Sequence, residues 1–196
     1  MWNEANHNVP LQSVLTAEGG GPVILLPIYT RCGASCPVLT RKLEEEAARM
    51  DSGIAYRVLV FSFDPSESSK SLEIFRRQEQ VPANWAMVRA DEGEIRQFFD
   101  FLHYPVMTEG DMLIHPSEIF LLDDGLNWRG TLVGVDWSSA ELQRQLSRIE
   151  TRGLAGWIAM NPAALAVMGF GGMLLSLGLL IGWLIFHKPP KRRVAA

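Results

Sequence analysis

Two cysteines stand four residues apart in the segment Thr30-Arg-Cys32-Gly-Ala-Ser-Cys36-Pro37, and the chain has no others. The apolar run before them predicts a strand and the residues after them predict a helix, so both sulfurs are expected in the first helical turn, on one face. Free backbone N–H groups and the helix dipole stabilise thiolates at such a position. Cys32 and Cys36 can therefore close a disulfide, exchange with a substrate disulfide, or hold a soft metal ion such as Cu(I).

The elements that position this pair follow from the pattern of apolar residues. Strands separated by helices predict parallel pairing, and Asp123-Asp-Gly125 predicts a hairpin between the last two strands. With a cysteine pair opening the first helix, this order is thioredoxin-like, and the predicted fold class is α/β. The predicted strands are 23–29, 54–63, 86–89, 118–122 and 128–135, and the predicted helices are 36–50, 68–80, 91–102 and 138–152.

A metal at the cysteine pair needs a further ligand, and the chain has four histidines. His115 precedes the predicted strand Glu118–Leu122, and in a thioredoxin-like topology that loop abuts the N-terminus of the first helix. It is the predicted third ligand, in a copper site or, as a weaker alternative, a Cys2His zinc site. Met107 and Met112 lie nearby and carry thioethers, although packing or solvent exposure is their expected role. The other three histidines, His7, His103 and His187, have no predicted part in the site.

In combination these motifs resemble the Sco/SenC family. The resemblance rests on the CxxxCP motif at Cys32–Pro37, on Asp64-Pro65 after the second strand, and on His115 before Ile-Phe-Leu-Leu-Asp-Asp-Gly125, and it covers about residues 22–146. It implies a thioredoxin-like domain that binds copper through Cys32, Cys36 and His115. It also implies delivery of copper to the CuA centre of cytochrome c oxidase, or reduction of that centre's cysteines. Asp64 is at most a supporting residue.

The sequence departs from the family pattern at three places. Gly33 stands where the family usually has a proline, which makes that turn more flexible. Pro116 follows His115 and restricts it to extended geometry, and the His115–Pro116 bond is a candidate for the cis form. The expected membrane anchor is C-terminal rather than N-terminal.

The C-terminal region differs sharply from the rest of the chain. All 22 acidic residues and 14 of the 18 basic residues precede Gly153, a net charge of −8, whereas the remainder carries only four basic residues. Residues 163–186 carry no charge, and a helix of this length reaches about 36 Å, enough to cross a hydrocarbon core of about 30 Å. The predicted organisation is a flexible lead-in (1–20), the thioredoxin-like domain (21–152), a linker (153–162), a transmembrane helix (163–186) and a basic tail (187–196).

The basic tail predicts a cytoplasmic C-terminus in the inner membrane, with the domain on the periplasmic or extracytoplasmic side. The first seven residues have neither the basic nor the apolar part of a signal peptide. Either the signal is missing from this sequence, or the protein is tail-anchored with a cytoplasmic domain. Gly178 and Gly182 match a small-xxx-small pattern, a weak indication of a homodimer through this helix.

Two functions remain open at this stage. The first is a membrane-anchored copper chaperone, with a copper donor protein and cytochrome c oxidase subunit II or a related copper protein as partners. The second is a thiol–disulfide oxidoreductase of the thioredoxin or TlpA type, in which Cys32 attacks and Cys36 resolves, although CxxC is the commoner spacing for that reaction. The net charge of −4 argues against nucleic acid as a partner.

Overall fold

The structure, a computed structural model, describes residues 1–10, 20–50, 53–110 and 112–160. Its helices are α1 (Ser35–Ala48), α2 (Ser69–Gln78), α3 (Glu92–Leu102) and α4 (Ser139–Met160). Its strands are β1 (Trp2–Asn3), β2 (Val23–Ile28), β3 (Arg57–Ser62), β4 (Ala86–Arg89), β5 (Met107–Glu109), β6 (Met112–Ile114), β7 (Glu118–Leu122) and β8 (Trp128–Val133).

Six of these strands form one mixed sheet in the order β1-β4-β3-β2-β7-β8. β2 pairs with β3 in parallel and with β7 in antiparallel orientation, and β7 and β8 form the predicted hairpin. The predicted thioredoxin-like α/β order is confirmed. The structure adds β1 at one edge and a separate two-stranded hairpin, β5–β6, between α3 and β7.

The centre of the sheet is apolar because its strands are covered on both faces. Every residue of β2 is buried, and α1 packs Leu39 and Leu43 into the same core. Pro27 lies in β2 beyond Val23–Leu25, the part of the strand that also pairs with β7. Its missing N–H therefore falls outside the doubly paired section, which explains how a central strand accommodates proline.

Residues 1–10 lie against the sheet, whereas the sequence predicts a flexible lead-in. β1 pairs with the edge strand β4, the guanidinium of Arg89 stacks 4.8 Å from the centre of the Trp2 ring, and the N-terminal amine lies 3.0 Å from Glu94 Oε1. An edge strand has unpaired backbone groups, and β1 satisfies those of β4. Because only two residues of β1 pair, the sequence carries no periodic signal for it.

Three further predictions concern the linker, the His115–Pro116 bond and the membrane span. α4 continues to Met160, so residues 153–160, predicted as linker, are helical. The helix formers among them, Leu154, Ala155, Ala159 and Met160, outweigh Gly153 and Gly156. The described residues contain no cis peptide bond, so the His115–Pro116 bond, a candidate for the cis form, is trans. The trans form is intrinsically favoured, and with it the imidazole already reaches the cysteines. No helix among the described residues is long and apolar enough to cross a membrane, and the predicted span 163–186 lies outside them.

Candidate metal centre

The two cysteines lie where β2 passes into α1. The loop turns back on itself through a hydrogen bond from the Cys32 N–H to the Tyr29 carbonyl oxygen (3.1 Å), and α1 begins at Ser35. The Cys36 N–H then points at Cys32 Sγ, 3.4 Å away, and Ser35 Oγ lies 3.6 Å from the same sulfur. The first turn of the helix thus directs hydrogen-bond donors at the Cys32 sulfur, as the four-residue spacing of the cysteines predicts.

The two thiols are inequivalent. The hydrogen bond from the Cys36 thiol lowers the pKa of Cys32; burial opposes this, and the Cys36 N–H and Ser35 reinforce it. The same bond, together with burial, raises the pKa of Cys36. Cys36 is the more deeply buried, 1% exposed against 7% for Cys32. These contacts favour the thiolate at Cys32 and the protonated thiol at Cys36.

His115 reaches the pair from the loop between β6 and β7. Its Nε2 atom lies 3.7 Å from Cys36 Sγ. Its Nδ1 atom lies 2.6 Å from the Tyr104 hydroxyl and 2.8 Å from the Pro116 carbonyl oxygen, which only accepts hydrogen bonds. We therefore assign the hydrogen to Nδ1, which leaves the Nε2 lone pair facing the sulfurs. This is the tautomer that a metal ligand requires.

Aromatic rings enclose the imidazole. Phe63, Tyr29 and Tyr104 place their ring centres 5.0, 5.8 and 5.9 Å from that of His115. Phe63 also contacts Phe99 of α3, so the position of that helix affects the position of the imidazole through Phe63. The Tyr104 hydroxyl donates to the Pro116 carbonyl oxygen (2.7 Å) and is buried, which raises the pKa of this phenol. The rings cover part of the imidazole and restrict its orientation.

The two sulfurs and the imidazole nitrogen all lie within 4.8 Å of one another. The structure thus brings together the three residues that the sequence analysis selected as ligands. Two soft thiolates and an imidazole match the preferences of copper, and a Cys2His set also occurs in zinc sites that take a fourth ligand. The donor set and its spacing therefore fit a soft metal ion.

Two buried carboxylates hold the loop that precedes Cys32. Asp64 accepts hydrogen bonds from the Arg31 guanidinium and from the backbone and hydroxyl of Ser66. Glu67 accepts from the Thr30 N–H with one oxygen and from the Ser62 hydroxyl with the other. Asp64 was expected as a supporting residue. Glu67 was missed, because a glutamate in a serine-rich turn has the appearance of a solvent-exposed residue.

The remaining histidines and the two nearby methionines lie elsewhere. His7 is exposed, and His103 ends α3 in a left-handed conformation (φ 50°) with its ring facing Trp128. His187 is outside the described residues. Met107 and Met112 are exposed, at 64% and 59%, and so are not part of the core.

Fold and site together define the class of protein: a thioredoxin-like domain whose first helix opens with a reactive cysteine pair facing a histidine. No protein-family model matches the chain, and no curated protein matches it.

Solved structures do match. An Aquifex aeolicus VF5 protein described as a candidate for electron transfer is 26% identical, with a TM-score of 0.67, covering 74% of this chain and 85% of its own. BsSco, a member of the Sco family of cytochrome c oxidase assembly proteins, is 24% identical, with a TM-score of 0.60 and coverages of 76% and 90%. Copper-bound ScoI of Arabidopsis thaliana is 15% identical, with a TM-score of 0.62 and coverages of 77% and 94%. These structures confirm, at the level of the fold, the resemblance to the Sco/SenC family.

Proposed function

We propose that this protein is a copper chaperone that carries copper on Cys32, Cys36 and His115. The observation that carries the proposal is the mutual distance of at most 4.8 Å among the three donor atoms. The copper-bound ScoI structure supports it through the shared fold. Two thiolates and an imidazole bind Cu(I) in three-coordinate form and Cu(II) with added ligands.

Copper is the cargo, and this chain's residues favour its transfer rather than its storage. The lowered pKa of Cys32 favours the thiolate that binds copper, whereas the raised pKa of Cys36 makes the loss of its proton harder. Reprotonation of Cys36 would in turn loosen the cargo, because metal ligands must be deprotonated. We propose a copper donor protein as the source, and cytochrome c oxidase subunit II or a related copper protein as the recipient. The relation of BsSco to cytochrome c oxidase assembly supports this choice.

Copper titration of the full-length, reduced chain tests the ligand set. Wild type is expected to bind a single Cu(II) ion with thiolate-to-copper charge-transfer absorption. Cys32→Ser/Cys36→Ser should abolish that absorption, because no thiolate ligand remains. His115→Ala should shift it and weaken Cu(II) binding by more than the roughly 10- to 100-fold that loss of a residue supporting a metal ligand costs, because a direct ligand is removed.

His7→Ala is the matched control, because it removes an exposed histidine distant from the site in sequence. It should bind copper as wild type does. Full Cu(II) affinity in His115→Ala would refute the three-ligand site. Zn(II) binding that Cu(I) does not displace would identify a zinc protein instead.

The inequivalent thiols favour a second function, that of a thiol–disulfide reductase. The Cys32 thiolate would attack one sulfur of a target disulfide, forming a mixed disulfide and releasing the target's other sulfur as a thiolate. Cys36, on losing its proton, would then attack Cys32 and release the second target thiol, which leaves the target reduced and the Cys32–Cys36 pair oxidised. A reduction rate no greater than that of a simple dithiol, or one unaffected by Cys32→Ser, would exclude this function.

We further propose that residues 163–186 anchor the protein in the inner membrane, with the domain on the extracytoplasmic side and the basic tail in the cytoplasm. The uncharged length and the basic flank support this. In bacterial cells the full chain should resist alkaline extraction from membranes, and added protease should digest the domain only after the outer membrane is opened. Release into the soluble fraction would contradict the anchor, and protection in spheroplasts would contradict the orientation.

A further inference from the structure

The β5–β6 hairpin presents two methionines on one face. Its register pairs Met107 with Ile114 and Glu109 with Met112, and directly paired residues of an antiparallel ladder lie on the same side. Met107 and Met112 are therefore diagonal neighbours across the two strands, at positions whose Cα atoms lie about 7–8 Å apart. Long, flexible thioether side chains on such positions can meet at one ion.

This face of the hairpin is open to solvent, whereas the opposite face is anchored. Met107, Met112 and Ile114 are 64%, 59% and 40% exposed, while Leu113, which points the other way, packs against the core. His115 comes directly after β6, and its Nε2 atom lies 3.7 Å from Cys36 Sγ, so the imidazole is turned toward the cysteines. The face that carries Met107 and Met112 is thus separate from the Cys32–Cys36–His115 group. It nevertheless belongs to the same chain segment as His115.

The chemistry of this face is soft and weakly anionic. Thioethers are soft ligands that select Cu(I) over harder ions. The Glu109 carboxylate is directly paired with Met112 and contributes a negative charge to the same face. Because both methionines are exposed, packing in the core does not account for them.

We propose that Met107 and Met112 form a second, weaker Cu(I) site on the outer face of the β5–β6 hairpin. Binding at this site does not depend on the function proposed above. Its use, to receive Cu(I) before the ion passes to the cysteines and His115, does rest on that function. No electron is transferred in such a step, since copper remains Cu(I) and only its ligands change.

The test isolates the methionines by disabling the first site. Cys32→Ser/Cys36→Ser/His115→Ala in the full chain is titrated with Cu(I), without oxygen, against a coloured Cu(I) chelator. Binding of a single ion is expected. Adding Met107→Leu and Met112→Leu, which conserve side-chain volume, should weaken it at least about tenfold, or about 1.4 kcal/mol. Met50→Leu, on a half-buried methionine, is the matched control and should change nothing.

A second measurement does not depend on the substituted cysteines. In wild type with the Cys32–Cys36 disulfide closed, Ag(I) is added as a redox-inert substitute for Cu(I), and the ¹³C-labelled methionine methyl signals are followed by NMR. The signals of Met107 and Met112 are expected to shift, and that of the buried Met87 is not. The proposal is overturned if the triple variant and the oxidised chain bind no soft ion, or if binding survives Met107→Leu/Met112→Leu. Failure of the first site would appear separately, as equal Cu(I) binding by wild type and the triple variant.

Discussion

At the scale of single residues, the site consists of two shells with different tasks. Cys32, Cys36 and His115 present the donor atoms, while Tyr104 and Glu67 hold those residues in place. Glu67 acts on the backbone, because its carboxylate accepts the Thr30 N–H two residues before Cys32. It is also 7% exposed, and burial raises its pKa despite the hydrogen bonds that favour its charged form. A buried carboxylate lowers the stability of the fold unless its two oxygens accept hydrogen bonds, as those of Glu67 do.

Removing this carboxylate should loosen the cysteine loop. Glu67→Ala leaves the Thr30 N–H and the Ser62 hydroxyl without their acceptor, and we expect copper affinity to fall about tenfold, as for other supporting residues of metal sites. Glu67→Gln retains an acceptor oxygen for Thr30 and should recover most of the affinity. The measurement is the same copper titration, with the exposed Glu73→Ala as control. Wild-type affinity in Glu67→Ala would show that Glu67 does not position the loop.

At the scale of elements, α3 packs against β3 and also against the aromatic residues around His115. Its N-terminus is closed by a capping box, in which Asp91 accepts the Glu94 N–H (2.9 Å) and Glu94 accepts the Asp91 N–H (3.2 Å). The helix then packs Phe98 against Phe61 and Phe99 against Phe63. Since Phe63 touches His115, the cap stabilises an element on which the aromatic enclosure of the imidazole depends.

Loss of the cap should be measurable in the free energy of unfolding. Asp91→Ala removes the acceptor for the Glu94 N–H and is expected to lower that free energy by about 1 kcal/mol. Asp91→Asn keeps a capping oxygen and should lose much less. Urea unfolding followed by circular dichroism compares the three proteins. An Asn variant as unstable as the Ala variant would assign the effect to charge rather than to capping.

At the scale of the whole molecule, buried carboxylates in ionic contacts make the stability of the domain depend on pH. Asp123 is 7% exposed at the β7–β8 turn, where it accepts from the Asn127 N–H and binds the Arg129 guanidinium. Burial alone would raise the pKa of Asp123, but these contacts outweigh it and the pKa is lowered. The pKa of Asp64 is lowered in the same way, by Ser66 and Arg31 against the effect of burial.

A carboxyl whose pKa is lowered by folding stabilises the folded state above its unfolded pKa of about 3.9, and loses that contribution as the pH falls through the lower folded value. Asp123→Asn should therefore be less stable than wild type at pH 7, and the difference should narrow at pH 3. Chemical unfolding at both pH values measures it, with the exposed Asp124→Asn as control. A difference independent of pH would mean that Asn disturbs the turn sterically.

The sequence by itself determined the order of the elements and the location of the chemistry. Continuous apolar runs at β2 and β3, the alternation of strands with helices, and the cysteine pair at a helix start are local signals, and each is read within a few residues. The prediction that His115 faces the cysteines followed from topology, since the loop before β7 meets the start of α1 in a thioredoxin-like order.

Only the tertiary structure decided the features that depend on contacts between distant segments. These include the hydrogen bonds of Glu67 to Thr30 and of Tyr104 to His115, the docking of β1 on β4, and the unequal environments of the two thiols. The β5–β6 hairpin also escaped prediction, because three-residue strands joined near Gly110 are too short for a periodic signal. A sequence pattern reports which face of an element is apolar, whereas the hydrogen-bonding partner of a polar side chain is set by how whole elements pack.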